Sequence, residues 1–207
     1  MIKLSNDIKT GDHHMKIREM TLVAVFAAVM GSFGLIPSIA LSFTPVPLTL
    51  QTMGVLLSGG ILGARLGFMS QAVFLLLVAA GVPLLSGGRG GLGVFVGPSG
   101  GYIISWAVTA FVIGYVLSLF KKVKFHHVLL VNLTVGIFLI YLIGIPVQAM
   151  VMGISMMDTV KVSLAYIPGD IIKAVVGSIL VYKLRTHPVI MRSLGSLKRT
   201  GNLSKTA

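Results

Sequence analysis

Six apolar segments dominate the pattern of hydrophobic and polar positions along the chain. They lie near residues 20–36, 48–63, 66–81, 102–120, 128–150 and 168–184, and polar or glycine-rich stretches separate them. Each segment has about the length of a helix that crosses a bilayer, where every backbone polar group must be bonded within its own helix. The pattern therefore predicts an all-α, polytopic membrane protein, a bundle of six transmembrane helices.

Composition agrees with this fold class. Hydrophobic residues make up 55% of the chain and charged residues 11%, which excludes a soluble globular domain. Cysteine is absent, so disulfides and thiol chemistry are excluded as well. We predict one membrane domain at 20–185, preceded by a cytoplasmic segment at 1–19 and followed by a basic cytoplasmic tail at 186–207.

The distribution of positive charge predicts the orientation. The net charge is +12, and basic residues precede the first span and follow the last. Arg65 lies in the turn between spans two and three, and Lys121, Lys122 and Lys124 lie between spans four and five. Because basic loops stay in the cytoplasm, we expect both termini inside and a multi-pass protein of the cell (plasma) membrane, in contact with the lipid bilayer. No nucleic-acid partner is expected, since no soluble domain could carry such a surface.

Two long connections are expected on the outer side. The first runs from Pro37 to Pro47, and the second is a glycine-rich loop between Pro83 and Gly101. The second could be a flexible linker or a lid over an outward-facing pocket. We favour the lid because the loop keeps apolar Leu92 and Phe95, which a solvated linker does not need.

Asp170 and Lys173 are the candidate working groups of the chain. Three residues apart on a helix, their side chains leave the same face, about 5–6 Å apart between Cβ atoms. Pro168 and Gly169 begin the last span, which places Asp170 in a first turn that favours an anion. The pair is either a ligand site or an ion pair that neutralises both charges in the membrane.

Three further side chains are candidate ligand contacts. Arg89 is the sole charge of the glycine-rich loop and either binds an anion or is solvated. Gln71 lies inside the third span, where its amide bonds either a ligand or, as we favour, a neighbouring helix. Tyr102, with Trp106 four residues later, either walls a pocket or belongs to the interfacial aromatic belt, which is the commoner case.

Catalytic and metal-binding motifs are missing from the sequence. It contains no His-Glu-x-x-His, no Gly-x-Ser-x-Gly and no phosphate-binding Gly-x-x-x-x-Gly-Lys-Ser/Thr loop. We therefore expect no catalytic residue, no metal and no ATPase site of its own. In the first span, Ala24 and Ala28 are four residues apart, as are Ala27 and Gly31. Either pair lets another helix approach closely, from this bundle or from another subunit.

Three separated motifs carry a family resemblance. They are residues 45–52 (Pro-Val-Pro-Leu-Thr-Leu-Gln-Thr), 97–102 (Gly-Pro-Ser-Gly-Gly-Tyr) and 166–173 (Tyr-Ile-Pro-Gly-Asp-Ile-Ile-Lys). In this order they closely resemble the BioY family, the biotin-specific substrate-capture subunits (S components) of energy-coupling-factor (ECF) transporters. The resemblance implies a six-helix protein that binds biotin in an outward-facing pocket and delivers it inward, without enzymatic activity.

The resemblance also implies roles for particular residues and partners. Asp170 would accept the ureido N–H groups of biotin, and Lys173 would face its carboxylate. Arg89 is the candidate second cation by its reach and charge, and not by a motif match. Ala24 and Ala28 would meet a transmembrane coupling subunit, which works with a pair of cytoplasmic ATPases. Biotin would be the transported ligand, and no cofactor is expected.

Other functions remain open from the sequence. One is a capture subunit of the same architecture for another small vitamin. A second is an intramembrane enzyme that uses Asp170 and Lys173 as an acid–base pair, although the usual motifs are missing. A third is a structural or assembly protein, for which paired charges and a glycine-rich lid would have no evident purpose.

Overall fold

The computed structural model of the protein describes residues 17–187, and they form a helical bundle with one β-hairpin. The helices are α1 (Ile17–Gly34), α2 (Gln51–Leu62), α3 (Ala64–Ala79), α4 (Gly93–Val96), α5 (Gly100–Ser118), α6 (Phe125–Val131), α7 (Ile137–Met152), α8 (Met156–Leu164) and α9 (Ile167–Thr186). A π-helical turn at Asn132–Gly136 joins α6 to α7. Strands β1 (Ile39–Leu41) and β2 (Thr44–Leu48) pair antiparallel. Most of the predicted terminal segments at 1–19 and 186–207 lies outside the described residues.

Every predicted apolar segment corresponds to a helix, but helix lengths do not establish six spans. Within residues 17–187, three helical stretches are long and apolar enough to cross a membrane: α1, α5 and the continuous run Phe125–Met152. The pair α8 and α9, bent by 55°, would make a fourth. With 12 and 16 residues, α2 and α3 are shorter than a straight span of about 20 residues. The predicted segment at 48–63 is four residues longer than α2 because the apolar sequence continues beyond the ends of the helix, whereas the segment at 66–81 has the length of α3.

Helix α2 is the centre of the bundle. All of its residues except Thr52 are buried, and it packs against α1, α3, α5 and α9. A helix that is apolar all round requires such an interior position. Small residues allow the close packing: a Cβ on Gly59 would lie 2.5 Å from the carbonyl oxygen of Ala110 in α5. The core is therefore built outward from α2.

The connection from Pro37 to Pro47, predicted to be a loop, forms the β-hairpin. Leu41 pairs with Thr44 across a two-residue turn, and Ile39 pairs with Leu48. The alternation of the strand turns Thr44 and Val46 inward, with 8% and 7% of their surfaces exposed, and leaves Pro45 outside. Proline has no N–H to donate, which a two-stranded hairpin tolerates because both strands are edges. The hairpin packs its inward side chains over the start of α9.

Close contact between α5 and the α2–α3 turn predicts a stability effect. A Cβ on Gly114 would lie 2.2 Å from the backbone nitrogen of Ala64. We expect Gly114→Ala to lower the free energy of unfolding by about 1–3 kcal/mol through overpacking, measured as a drop in melting temperature in detergent. The matched control is Gly93→Ala, since no atom lies within 4 Å of a Cβ there. Equal stability of the two variants would contradict the close contact.

Candidate functional site

A cavity opens at the end of the bundle that carries the β-hairpin, referred to below as the hairpin end. It encloses about 550 Å³ of unoccupied space including its open mouth. Six parts of the chain line it: β2, the start of α2, the glycine-rich loop, α5, α7 and the start of α9. The charged and aromatic members of the lining are Arg89, Tyr102, Trp106, Tyr141, Tyr166, Asp170 and Lys173. The lining thus combines apolar and aromatic walls with a small number of charges, as small-molecule sites do.

Asp170 and Lys173 form a buried ion pair in this lining. The ammonium of Lys173 lies 2.5 Å from Oδ1 of Asp170, and the two side chains are 9% and 12% exposed, respectively. Lys173 also donates to the carbonyl oxygen of Thr49 and to the hydroxyl of Thr52, both at 2.9 Å. An ammonium has three N–H groups, so every donor of Lys173 already has an acceptor. The side chain therefore ties α9 to the first turn of α2 and neutralises Asp170.

Asp170 keeps acceptor capacity toward the cavity. Its second oxygen, Oδ2, accepts from the hydroxyl of Tyr141 at 2.5 Å. A carboxylate offers about four lone-pair positions, and Lys173 and Tyr141 occupy one each. The carboxylate is thus held from two sides, by α9 and by α7, and can still accept from a ligand N–H group.

Arg89 supplies a separate positive charge. Its Nε donates to the carbonyl of Ser86 at 3.2 Å, and one terminal nitrogen donates to the hydroxyl of Ser99 at 3.4 Å. Between residues 17 and 187, no carboxylate forms an ion pair with it. Burial lowers the pKa of the guanidinium from its ordinary value of 12.5, yet an arginine remains charged in proteins. Arg89 is therefore the cation of the cavity that can take an anionic group.

Aromatic side chains form the walls. Tyr102 and Trp106 are 8% and 4% exposed and both line the cavity, so they wall a pocket and are not part of a surface belt. Tyr102 donates to Oε1 of Gln148 at 2.8 Å and meets the ring of Tyr141 edge-on at 6.1 Å. These bonds hold the rings in fixed orientations around the open space.

Two predicted groups lie elsewhere. Gln71 is fully buried outside the cavity lining, and its amide donates to the hydroxyl of Ser58 in α2 at 2.9 Å. This is the helix contact favoured for it, and the structure does not bring it to the other candidates. In α1, Ala27 and Gly31 are buried in the bundle, whereas Ala24 and Ala28 are exposed. The bundle therefore uses one small-residue pair and leaves the other on its surface.

Sequence reasoning missed four groups that shape the site. Tyr141, Gln51, Thr49 and Thr52 all line the cavity or bond to its charges. A lone tyrosine hydroxyl inside the very apolar stretch 137–147 was one available signal, because such a group needs a partner. The polar positions at the start of the second apolar segment were another. Within the described range 17–187, no cluster of three or more His, Asp or Glu could hold a metal ion.

Comparison with known proteins decides the family. The model of the BioY family matches residues 7–188. The chain belongs to the BioY family. Among curated relatives, it is 48% identical to the "Probable biotin transporter BioY" of Bacillus subtilis, over 82% of this chain and 91% of that protein. It is 42% identical to the "Biotin transporter BioY" of Rhizobium etli, over 80% of this chain and 92% of that one.

A solved structure of the same fold supports the assignment. It is the crystal structure of the S-component for biotin from an ECF-type ABC transporter, which is 34% identical in sequence. The TM-score is 0.80, and the match covers 84% of this chain and 96% of that one. The helical bundle with its hairpin is thus the S-component fold.

Removing the ammonium of Lys173 should destabilise this BioY protein. Lys173→Met leaves Asp170 without a counter-charge and Thr49 and Thr52 without a donor, so we expect a loss of about 3–5 kcal/mol. The double variant Asp170→Asn/Lys173→Met should recover part of this loss, because no unpaired charge remains. Melting in detergent measures both.

The matched control for this variant is Lys161→Met. Lys161 pairs with Asp158 at the same three-residue spacing, but both side chains are exposed. Since water replaces such a pair at little cost, the melting temperature should not change measurably. If Lys173→Met were as stable as Lys161→Met, the ammonium of Lys173 would have no role in holding α9 to α2.

Proposed function

We propose that this protein is the membrane-embedded, high-affinity biotin-binding subunit of a vitamin uptake system. It captures biotin at the hairpin end of the bundle and delivers it inward. Its family membership, the names of its relatives and the S-component fold support the ligand and the transport role. The subunit has no catalytic activity of its own, and ATP hydrolysis comes from partner chains.

One observation carries the proposal: a single cavity contains both a carboxylate with free acceptor positions and a cation that forms no ion pair with any carboxylate of residues 17–187. Asp170 is on α9 and Arg89 is in the glycine-rich loop, so the two approach the cavity from different elements. Biotin has the matching groups at its two ends, N–H donors on the ureido ring and a carboxylate on the valerate tail. A charge-assisted hydrogen bond at each end fixes the orientation of the ligand.

The contacts suggest a division of roles. Asp170 accepts from a ureido N–H, and Arg89 takes the carboxylate in a two-bond contact that a guanidinium favours. Lys173 holds Asp170 in place and reaches the ligand only by releasing one of its three acceptors. Tyr102 and Trp106 supply the apolar and aromatic wall for the fused rings and the tail.

The membrane arrangement is part of the proposal. Six helical units cross the cell membrane, with both termini in the cytoplasm and the hairpin end facing out. Basic residues at one end of the bundle support this orientation, with Arg65 in the first turn of α3 and Lys121, Lys122 and Lys124 between α5 and α6. The short α2 crosses almost entirely inside the protein, and near its two ends Lys173 donates to the carbonyl of Thr49 and Arg185 donates to that of Gly60.

The partners are an ECF transmembrane coupling subunit and its pair of ATPases. The relative of known structure comes from an ECF-type transporter. In this chain, Ala24 and Ala28 lie on the exposed face of α1, and small side chains let a partner helix approach closely. We assign that face of α1 to the coupling subunit.

Ligand titration tests the function. We expect the purified protein to bind biotin saturably and to reject lipoic acid, which has the same carboxylate tail without the ureido ring. Asp170→Asn replaces the carboxylate that accepts from the ureido N–H with a neutral amide, so biotin affinity should fall about 10–100-fold. Isothermal titration calorimetry in detergent measures these affinities.

The matched control for Asp170→Asn is Asp158→Asn, which changes an exposed carboxylate on α8 outside the cavity. Its biotin affinity should equal that of the unmodified protein. If the unmodified protein shows no saturable biotin binding, the proposed function is wrong. Unchanged affinity in Asp170→Asn would instead make the buried pair purely structural.

Cysteine labelling tests the topology, and the natural chain contains no cysteine that would interfere. Lys122→Cys and Leu92→Cys place single thiols at exposed positions near opposite ends of the bundle. An impermeant maleimide should label Leu92→Cys on intact cells and label Lys122→Cys only after the membrane is opened. Labelling of both thiols on intact cells would contradict the proposed orientation.

A further inference from the structure

We infer that Gln51 is a positioning residue that holds Arg89 at the cavity and thereby sets the preference for a ligand with a free carboxylate. The inference rests on the proposed function, in which Arg89 meets the carboxylate of biotin. Gln51 is the first residue of α2 and lies between α1 and the glycine-rich loop. It acts through the loop, and the loop carries the cation.

The amide of Gln51 joins three parts of the chain. Its nitrogen donates to the carbonyl oxygens of Leu84, at 3.1 Å, and Met30, at 3.4 Å. Its oxygen accepts from the backbone N–H of Ser86 at 3.2 Å. Only 1% of the residue is exposed, and both N–H groups and the carbonyl oxygen are bonded. A buried amide satisfied on both sides fixes the groups that it bonds, because breaking any of these bonds leaves a polar atom unpaired.

The path from Gln51 to Arg89 is one residue long. Ser86 gives its N–H to Gln51 and its carbonyl to Nε of Arg89, at 3.2 Å. The backbones of Leu85 and Arg89 exchange two hydrogen bonds of 3.0 and 3.2 Å, which close a tight turn. Gly87 and Gly88 make this turn possible with φ angles of 80° and 67°. Fixing Ser86 therefore fixes both the backbone and the first donor of Arg89.

Arg89 needs this support for two physical reasons. Glycine-rich backbone has many accessible conformations, so the loop loses much entropy when it is held in one of them. Within residues 17–187, no carboxylate pairs with the guanidinium, and its fixed contacts are Ser86 and the hydroxyl of Ser99. When the cation is already held in place, ligand binding does not have to order its side chain and loop. More of the interaction energy then contributes to affinity. Gln51 supplies that order from the rigid end of α2.

Direct contact with the ligand is the rival role, since Gln51 also lines the cavity. The two roles predict different responses to the tail of the ligand. A residue that works through Arg89 matters only when a carboxylate is present for Arg89 to bind. A residue that touches the ring, or that merely stabilises the fold, affects every ligand alike.

The test compares biotin with biotinamide, in which the carboxylate is replaced by a neutral amide. For Gln51→Leu we expect the Kd of biotin to rise about tenfold, while the Kd of biotinamide changes by less than about twofold. Arg89→Ala should have the same selective effect. The double variant Gln51→Leu/Arg89→Ala should bind biotin no more weakly than Arg89→Ala alone, because both substitutions remove one interaction.

Asn132→Leu is the matched control. Asn132 is a fully buried amide that bonds Ser178 at 2.9 Å and does not line the cavity. The Asn132→Leu variant should lose thermal stability but keep the ratio of biotin to biotinamide affinity of the unmodified protein. If Gln51→Leu does not yield folded protein, Gln51→Asn keeps the amide but shortens it by one methylene, and the same selective loss is expected.

Three outcomes would overturn the inference. Gln51→Leu could weaken biotin and biotinamide equally, the double variant could show the summed effect of the two single ones, or Arg89→Ala could keep the ratio of the unmodified protein. All three differ from failure of the proposed function, in which the unmodified protein does not bind biotin at all. Selective loss without additivity supports Gln51 as the residue that positions Arg89.

Discussion

The rest of the site depends on the contacts that the buried ammonium of Lys173 makes. An ionised group at membrane depth is tolerated only when partners replace its water. Lys173 has three such partners, Asp170 on its own helix and Thr49 and Thr52 at the start of α2. Because two of these partners lie at the start of α2, the bonds that satisfy the ammonium hold α9 against the first turn of α2. The cavity forms at this junction, between the hairpin that leads into α2 and the helices beyond it.

The first turn of α2 serves as a common reference for both charged groups of the cavity. On one side it accepts from Lys173, which holds Asp170. On another side Gln51 reaches the glycine-rich loop and, through Ser86, the side chain of Arg89. Because α2 is buried along nearly its whole length, this reference is rigid. One end of α2 thus sets the distance between Asp170 and Arg89, which lie on elements far apart in the sequence.

Much of the fold could be predicted from sequence, but the site only in part. The six apolar segments all coincide with helices, and the spacing of Asp170 and Lys173 places them on one face of α9. Tyr141 could not be found in this way, because its bond to Asp170 joins two separate helices. The glycine-rich loop carries Arg89 to the cavity, while the connection between α1 and α2 proved to be a hairpin. Neither result follows from local pattern, since both depend on what the loops pack against.

The sequence by itself determined the helical segments, the spacing of the ion pair and the family, since hydropathy, helical periodicity and motifs are properties of neighbouring residues. Tertiary structure decided which groups meet. It buried Ala27 and Gly31 while exposing Ala24 and Ala28, placed Gln71 against Ser58, and brought Gln51 to Ser86. Those choices depend on how α1, α2, α3 and the loops pack together. When these elements pack, many alternative contacts compete. Which of them form depends on the whole chain and cannot be read from any single stretch of sequence.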